Sequence, residues 1–166
     1  MNKKHLIILF ILIFSLIAFL FTHNNKKTTL APDIHLTTIT NKKISLRQLE
    51  GKTVIVTFWA TDCPACIEEI PHLIDLYNQY HQNGLEIIAI AMYYDPPSHV
   101  VSMSKAKQIP YDVSLDLKAA YAKAFGHILL TPTTLLISPA GIIIQQITGK
   151  FDIDKMKQKL NYLTKG

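Results

Sequence analysis

Val54-Ile-Val-Thr-Phe-Trp59-Ala-Thr-Asp62-Cys63-Pro64-Ala65-Cys66 is the stretch on which the fold turns. Val54 to Trp59 is an apolar run rich in β-branched and aromatic residues, the composition of a buried strand. The chain then turns into a helix at Cys63. Both cysteines of the protein lie here, two residues apart. Such a pair closes into a small disulfide or opens to a dithiol. A thiol at a helix start is favoured as thiolate by the positive end of the helix dipole. This is the layout of a redox site. A structural disulfide ordinarily closes a longer loop, because the chain-entropy gain grows with loop size. Tetrahedral zinc takes about four N or S ligands, and there is no second C-x-x-C; a residue such as His72 would have to be supplied by the fold. No metal is expected, and no cofactor beyond the Cys63–Cys66 pair itself.

Toward the N-terminus, Leu6 to Phe21 is an apolar run interrupted only by Ser15, with Lys3 and Lys4 before it and Lys26 and Lys27 after it. It is slightly short of the ~20 residues that span a bilayer upright, and longer than the usual apolar core of a signal peptide. The one small-x-small site downstream, Thr29-Leu30-Ala31, is followed directly by Pro32, a poor context for cleavage, and no Cys lies nearby to carry a lipid. The reading is an uncleaved signal-anchor over 1–22, a polar tether over 23–31 and one domain over 32–166, with a cleaved signal as the alternative. The slight positive excess on the first flank places the N-terminus in the cytoplasm. The domain then faces the periplasm or extracytoplasmic side of the inner (cytoplasmic) membrane, where a reducing protein needs its own electron supply. The net charge of +5 is scattered over lysines. No basic stripe is interleaved with aromatics, so nucleic acid is not an expected partner; the charge suits solvation and attraction to anionic lipid.

Along the domain, Pro32 to Ile39 alternates like a strand, and Leu46 and Leu49 suggest a short helical turn closed by Gly51. After the central strand, a helix is expected from Cys63 to about Gln82, kinked at Pro71 and stopped by Gly84. Leu85 to Met92 reads as a strand, Tyr93 to Ser98 as a loop, and His99 to Lys107 as a helix. A short strand at Tyr111 to Ser114 and a helix over Leu117 to Phe125 follow. Thr133 to Ile137 and Gly141 to Thr148 form a hairpin, and Asp152 to Thr164 a last helix with Met156 turned inward, as Met103 is in the His99 to Lys107 helix. The outcome is an α/β domain with a central mixed β-sheet flanked by helices.

This order, with C-x-x-C at the first long helix and a closing hairpin plus helix, resembles the thioredoxin fold. Phe58-Trp59-Ala60 before the motif, Pro71 five residues after Cys66, and Thr131-Pro132-Thr133-Thr134 before the hairpin sit at family positions. The tether, Cys66-Ile-Glu-Glu69-Ile-Pro71, the N-terminal extra strand, the inserted helix and Pro132 to Gly141 resemble one branch, the TlpA/ResA-like membrane-anchored thiol–disulfide oxidoreductases. The resemblance spans roughly Pro32 to Leu163. It implies that Cys63 attacks a target disulfide and Cys66 resolves the mixed disulfide. It also implies a cis Thr131–Pro132 bond that turns the Thr131 backbone toward the target, with Trp59 and Pro64 lining the binding surface. The implied partners are disulfide-containing extracytoplasmic proteins, apocytochrome thiols among them, and a transmembrane thiol electron donor; the expected state is a monomer.

Two positions depart from the family pattern. Asp62 stands where the branch usually has Trp, and a carboxylate beside the nucleophile disfavours the thiolate. Thr57 stands where ordinary thioredoxins carry a buried Asp, which leaves the proton-transfer group to be supplied by Glu69 or by the Asp95 loop. Glu68 and Glu69 otherwise read as helix-dipole partners, and His72, His81, His99 and His127 as surface residues. Three competing readings share the fold. A peroxiredoxin-like peroxidase needs Pro and Thr where this chain has Val56 and Ala60, and a copper chaperone ordinarily spaces its thiols C-x-x-x-C. A disulfide-forming oxidant differs only in the direction of electron flow.

Overall fold

In the computed structural model, which describes residues 12–15 and 29–164, the apolar run becomes the central strand β4 (Thr53–Trp59), buried along its whole length. It pairs in parallel with β5 (Leu85–Ala91) and antiparallel with β7 (Thr133–Ile137). β6 (Asp112–Leu115) lies parallel to β5, β8 (Ile142–Thr148) antiparallel to β7, and β1 (Thr29–Leu30) antiparallel to β8. The sheet therefore runs β1-β8-β7-β4-β5-β6, mixed as expected. Its helices are α1 (Pro64–Tyr80), α2 (Pro97–Ala106), α3 (Ala120–Ala124) and α4 (Ile153–Leu163).

Alternation along β4 divides the core. Ile55 and Trp59 meet Ile70, Leu73 and Leu76 of α1, Val100 of α2, and Met156 and Leu160 of α4. Val54, Val56 and Phe58 face the other way, onto Phe125 and a separate hairpin of β2 (His35–Thr37) and β3 (Lys43–Ser45). With both faces covered, a strand has no solvent-facing side, which explains an apolar run from Val54 to Trp59 interrupted only by Thr57. Burying each such side chain contributes about 1.5–3 kcal/mol.

Local chemistry sets the element ends. Pro64 opens α1, where no backbone donor is lost. Pro71 sits inside α1 without dividing it, and Gly84, at φ +90°, lets the chain reverse into β5. The short helical turn expected at Leu46 and Leu49 is a 3₁₀ turn over Leu46–Leu49, with Ile44 before it in β3. Two expectations are corrected. The helix expected over Leu117–Phe125 begins only at Ala120, because Ala119 is left-handed and the Asp116 carboxylate accepts from the Tyr121 and Ala122 N–H groups at 3.1 and 2.8 Å. The sheet begins at Thr29, inside the segment read as tether. Most of the proposed anchor lies outside the described residues. Leu12 to Ser15 are helical, and among the described residues no helix is long and apolar enough to cross a membrane.

Candidate active site

The site forms where β4 ends and α1 begins. Cys63 occupies the N-cap of α1, and its Sγ accepts from the Cys66 N–H at 3.2 Å. The two sulfurs are bonded, with the Cα atoms 5.3 Å apart. One helical turn separates them in depth: Cys63 is partly exposed, whereas Cys66 is 3 % exposed and belongs to the core. An incoming sulfur therefore meets Cys63 first. Pro64 and Asp62 flank it on the surface.

The turn before Cys63 is held from the neighbouring strand. Asp95, buried in the loop after β5, accepts from both the N–H and the Oγ1–H of Thr61 at 2.6 Å. Met92 N–H donates to Trp59 O at 3.0 Å, and Cys63 N–H to Ala60 O at 3.3 Å. Asp95 thus has a binding task in the loop, and it engages Thr61 rather than a cysteine.

Behind the disulfide is a small apolar cavity lined by Trp59, Cys66, Glu69, Ile109, Tyr111 and Pro132, with Thr57 at its edge. Glu69 is buried there. Its Oε1 accepts from the Phe151 N–H at 2.7 Å, while among the described residues Oε2 has no partner, and neither does the buried Trp59 Nε1. Burial is the main cause pushing the Glu69 carboxyl up from 4.5 to about 7; the Phe151 hydrogen bond and the Lys150 charge act the other way. Burial likewise raises the Tyr111 phenol, with Glu69 adding to it. Glu69 is thus enclosed in the cavity, with its carboxyl raised toward neutrality. Its neighbour Glu68 is exposed and pairs with Lys150 at 2.7 Å.

The Thr131–Pro132 bond is cis. Pro132 faces the Cys66 cavity, and its carbonyl accepts from the Gly149 N–H at 2.8 Å. The segment 149–151 therefore joins both sides of the site, bonding to Pro132 at one end and to Glu69 at the other. Thr57 does not replace the buried acid: its hydroxyl pairs with that of Thr134 across β4 and β7 at 3.0 Å. His127 is exposed at φ +62°, and His72 and His99 are exposed as expected. Among the described residues no group of three His, Cys, Asp or Glu is placed to hold a metal ion.

Residues 26–162 match the Redoxin family across the strand, the cysteine pair and the cis-Pro segment alike. The chain belongs to the Redoxin family. Within it, the thiol–disulfide oxidoreductase ResA of Bacillus thuringiensis subsp. konkukian is 33% identical over 134 residues, covering 81% of this chain and 76% of that one. ResA of Bacillus subtilis is 29% identical over 136 residues, covering 82% and 75%. A thioredoxin-family thiol:disulfide interchange protein from Chlorobium tepidum superposes with a TM-score of 0.77 at 26% identity, over 84% of this chain and 99% of its own. Redoxin-family membership, the ResA relatives and the paired cysteines agree on the branch that the motifs resembled. The enzyme class is thiol–disulfide oxidoreductase.

Three features of this Redoxin-family site escape sequence reasoning. The Asp95–Thr61 clamp joins residues 34 apart, and the Glu69–Phe151 bond joins residues 82 apart. Tyr111 enters the cavity from the segment before β6, with no motif around it. The only available signal was the isolated carboxylate in Tyr93-Tyr-Asp95-Pro-Pro, an acid within an otherwise uncharged loop.

Proposed function

We propose that this chain is a membrane-anchored, extracytoplasmic thiol–disulfide oxidoreductase that reduces disulfides in specific target proteins, thiols of apocytochrome c among the candidates. The observation that carries the reading is the asymmetry of the pair, an accessible Cys63 over a buried Cys66. In the reduced enzyme the Cys63 thiolate attacks one sulfur of a target disulfide; that bond breaks and the other target sulfur leaves as thiolate. Cys66 then attacks Cys63 Sγ, the mixed disulfide breaks, and the second target sulfur departs. The target has gained two electrons and the enzyme holds the Cys63–Cys66 disulfide. Glu69 serves the second step, taking the Cys66 proton across the shared cavity, in place of the acid that Thr57 lacks. Thr131 offers its backbone to an extended target segment, and Trp59, Pro64 and Pro132 surround the sulfur. A transmembrane thiol donor restores the dithiol. The anchor is residues 1–22, and the domain acts outside the cytoplasmic membrane as a monomer.

Redox titration of the full chain in detergent against dithiothreitol or glutathione, followed by Trp59 fluorescence, tests the direction. A potential near that of thioredoxin, about −270 mV, is expected. A value near −120 mV, where strong oxidants lie, overturns the reductant reading and makes this a disulfide-forming protein.

A further inference from the structure

β1 runs antiparallel to β8, which runs antiparallel to β7, so β1 and β7 point the same way. β7 starts beside the cis-Pro segment and leads away from the active site. The N-terminal end of β1 therefore points toward the redox pole. Thr29 stands opposite Ile143, which stands opposite Ile137. From that level to Thr133, at the redox end of β7, is four steps along the strand, about 13 Å. Seven residues, Thr22 to Thr28, separate Thr29 from the end of the apolar run at Phe21. Fully extended they reach about 25 Å. A straight path thus carries the apolar segment past the level of the active site. Presenting the opposite pole to the bilayer needs a reversal within those seven residues.

The same pole carries most of the exposed bulky apolar side chains of the domain. Leu129 is 80 % exposed and Leu130 64 %, next to the cis-Pro segment; Tyr93 and Tyr94 follow β5 and Leu117 follows β6, at the strand ends level with Trp59. Lys118, exposed beside Leu117, makes no ion pair among the described residues. Tyrosines, leucines and a free lysine on one rim suit the boundary between anionic headgroups and hydrocarbon.

We infer that the tethered domain rests with its Cys63 pole against the membrane surface, the rim Tyr93, Tyr94, Leu117, Leu129 and Leu130 at headgroup depth. The inference rests on the anchor proposed above. Its consequence is that Cys63 exchanges with dithiols presented at the bilayer surface, and that a soluble target must first lift the domain.

The test uses the full chain with Cys63→Ser and Cys66→Ser, carrying one fluorophore on either Asp62→Cys or Glu50→Cys, at opposite poles. It is reconstituted in phosphatidylcholine–phosphatidylglycerol vesicles containing headgroup-linked nitroxide quencher. Several-fold stronger quenching at position 62 than at position 50 is expected, and Leu129→Glu with Leu130→Glu should diminish it while the protein stays in the vesicle pellet after carbonate washing. Equal or stronger quenching at position 50 overturns the inference and leaves the anchor intact. No quenching at either position also overturns it and assigns the rim to an apolar segment of a protein target. Undiminished quenching in the double Glu variant removes the rim from the proposal, and release of the unsubstituted rim protein by carbonate overturns the anchor reading and this inference together.

Discussion

At the scale of single residues the site is governed by two carboxylates with opposite surroundings. Asp62 is exposed beside Cys63, and its negative charge opposes formation of the thiolate. Asp62→Asn should raise the rate at which iodoacetamide alkylates reduced Cys63 at neutral pH, by a few-fold; an unchanged rate would show that solvent screens the carboxylate fully. Glu69 is enclosed, and the carboxyl of the folded protein holds its proton up to about pH 7, against 4.5 when unfolded. The folded state therefore binds more protons between those values, and stability falls as pH rises through that window. Glu69→Gln carries no such titration. Relative to the variant, the native protein should lose on the order of 2–3 kcal/mol between pH 4.5 and 7.5 in urea unfolding curves. A constant difference across that range would mean that Glu69 ionises normally. The same substitution should abolish the inflection near pH 7 in the rate of mixed-disulfide resolution, read by stopped flow.

At the scale of elements, the redox helix is placed by its connections more than by its own propensity. The start of α1 is tied to the loop after β5 through Asp95, and its second turn to segment 149–151 through Glu68 and Glu69. Breaking the Asp95 clamp leaves the half-buried Thr61 N–H without its acceptor. Asp95→Ala should cost about 1–3 kcal/mol in denaturant midpoint measurements. It should also speed proteolysis of the reduced protein within residues 60–63, because among the described residues the Met92–Trp59 backbone bond is then what still ties the β5 loop to that segment. The ion pair Lys150–Glu68 is solvent-exposed, and surface pairs contribute little. Lys150→Ala should therefore leave the denaturant midpoint of unfolding unchanged.

At the scale of the whole molecule, two cores share one sheet, and α4 closes the face behind the disulfide. Leu160 of α4 is fully buried against the β4 and α1 side chains. Leu160→Ala should lose about 2–5 kcal/mol, whereas Leu129→Ala, at a site 80 % exposed, should stay within about 0.5 kcal/mol. Calorimetry of the two variants separates a packed residue from a presented one. Near-equal losses would mean that Leu129 has a packing role within the fold.

The parts legible in the sequence were those with a short-range cause. A nearly continuous apolar run at β4 implied burial on both faces, Pro64 and the spacing of Cys63 and Cys66 implied a helix start with two sulfurs on one turn, and Gly84 marked a reversal. The resemblance of the Thr131–Pro132 segment supplied the cis bond, which base rates for X-Pro would not have. Other features depended on partners far along the chain. Whether Glu69 was a surface acid or a buried one turned on Phe151 and Tyr111 closing over it, since burial against distant residues, not local spacing, decides a carboxyl's charge. Ala119 and Asp116 shortened a helix by a backbone reversal and a cap from outside it, and β1 added Thr29 and Leu30 to a sheet edge that only β8 provides. Local sequence by itself determined the strand, the helix and the redox pair; tertiary packing decided which acid is buried beside them, because desolvation is a property of the assembled cavity and not of the residue.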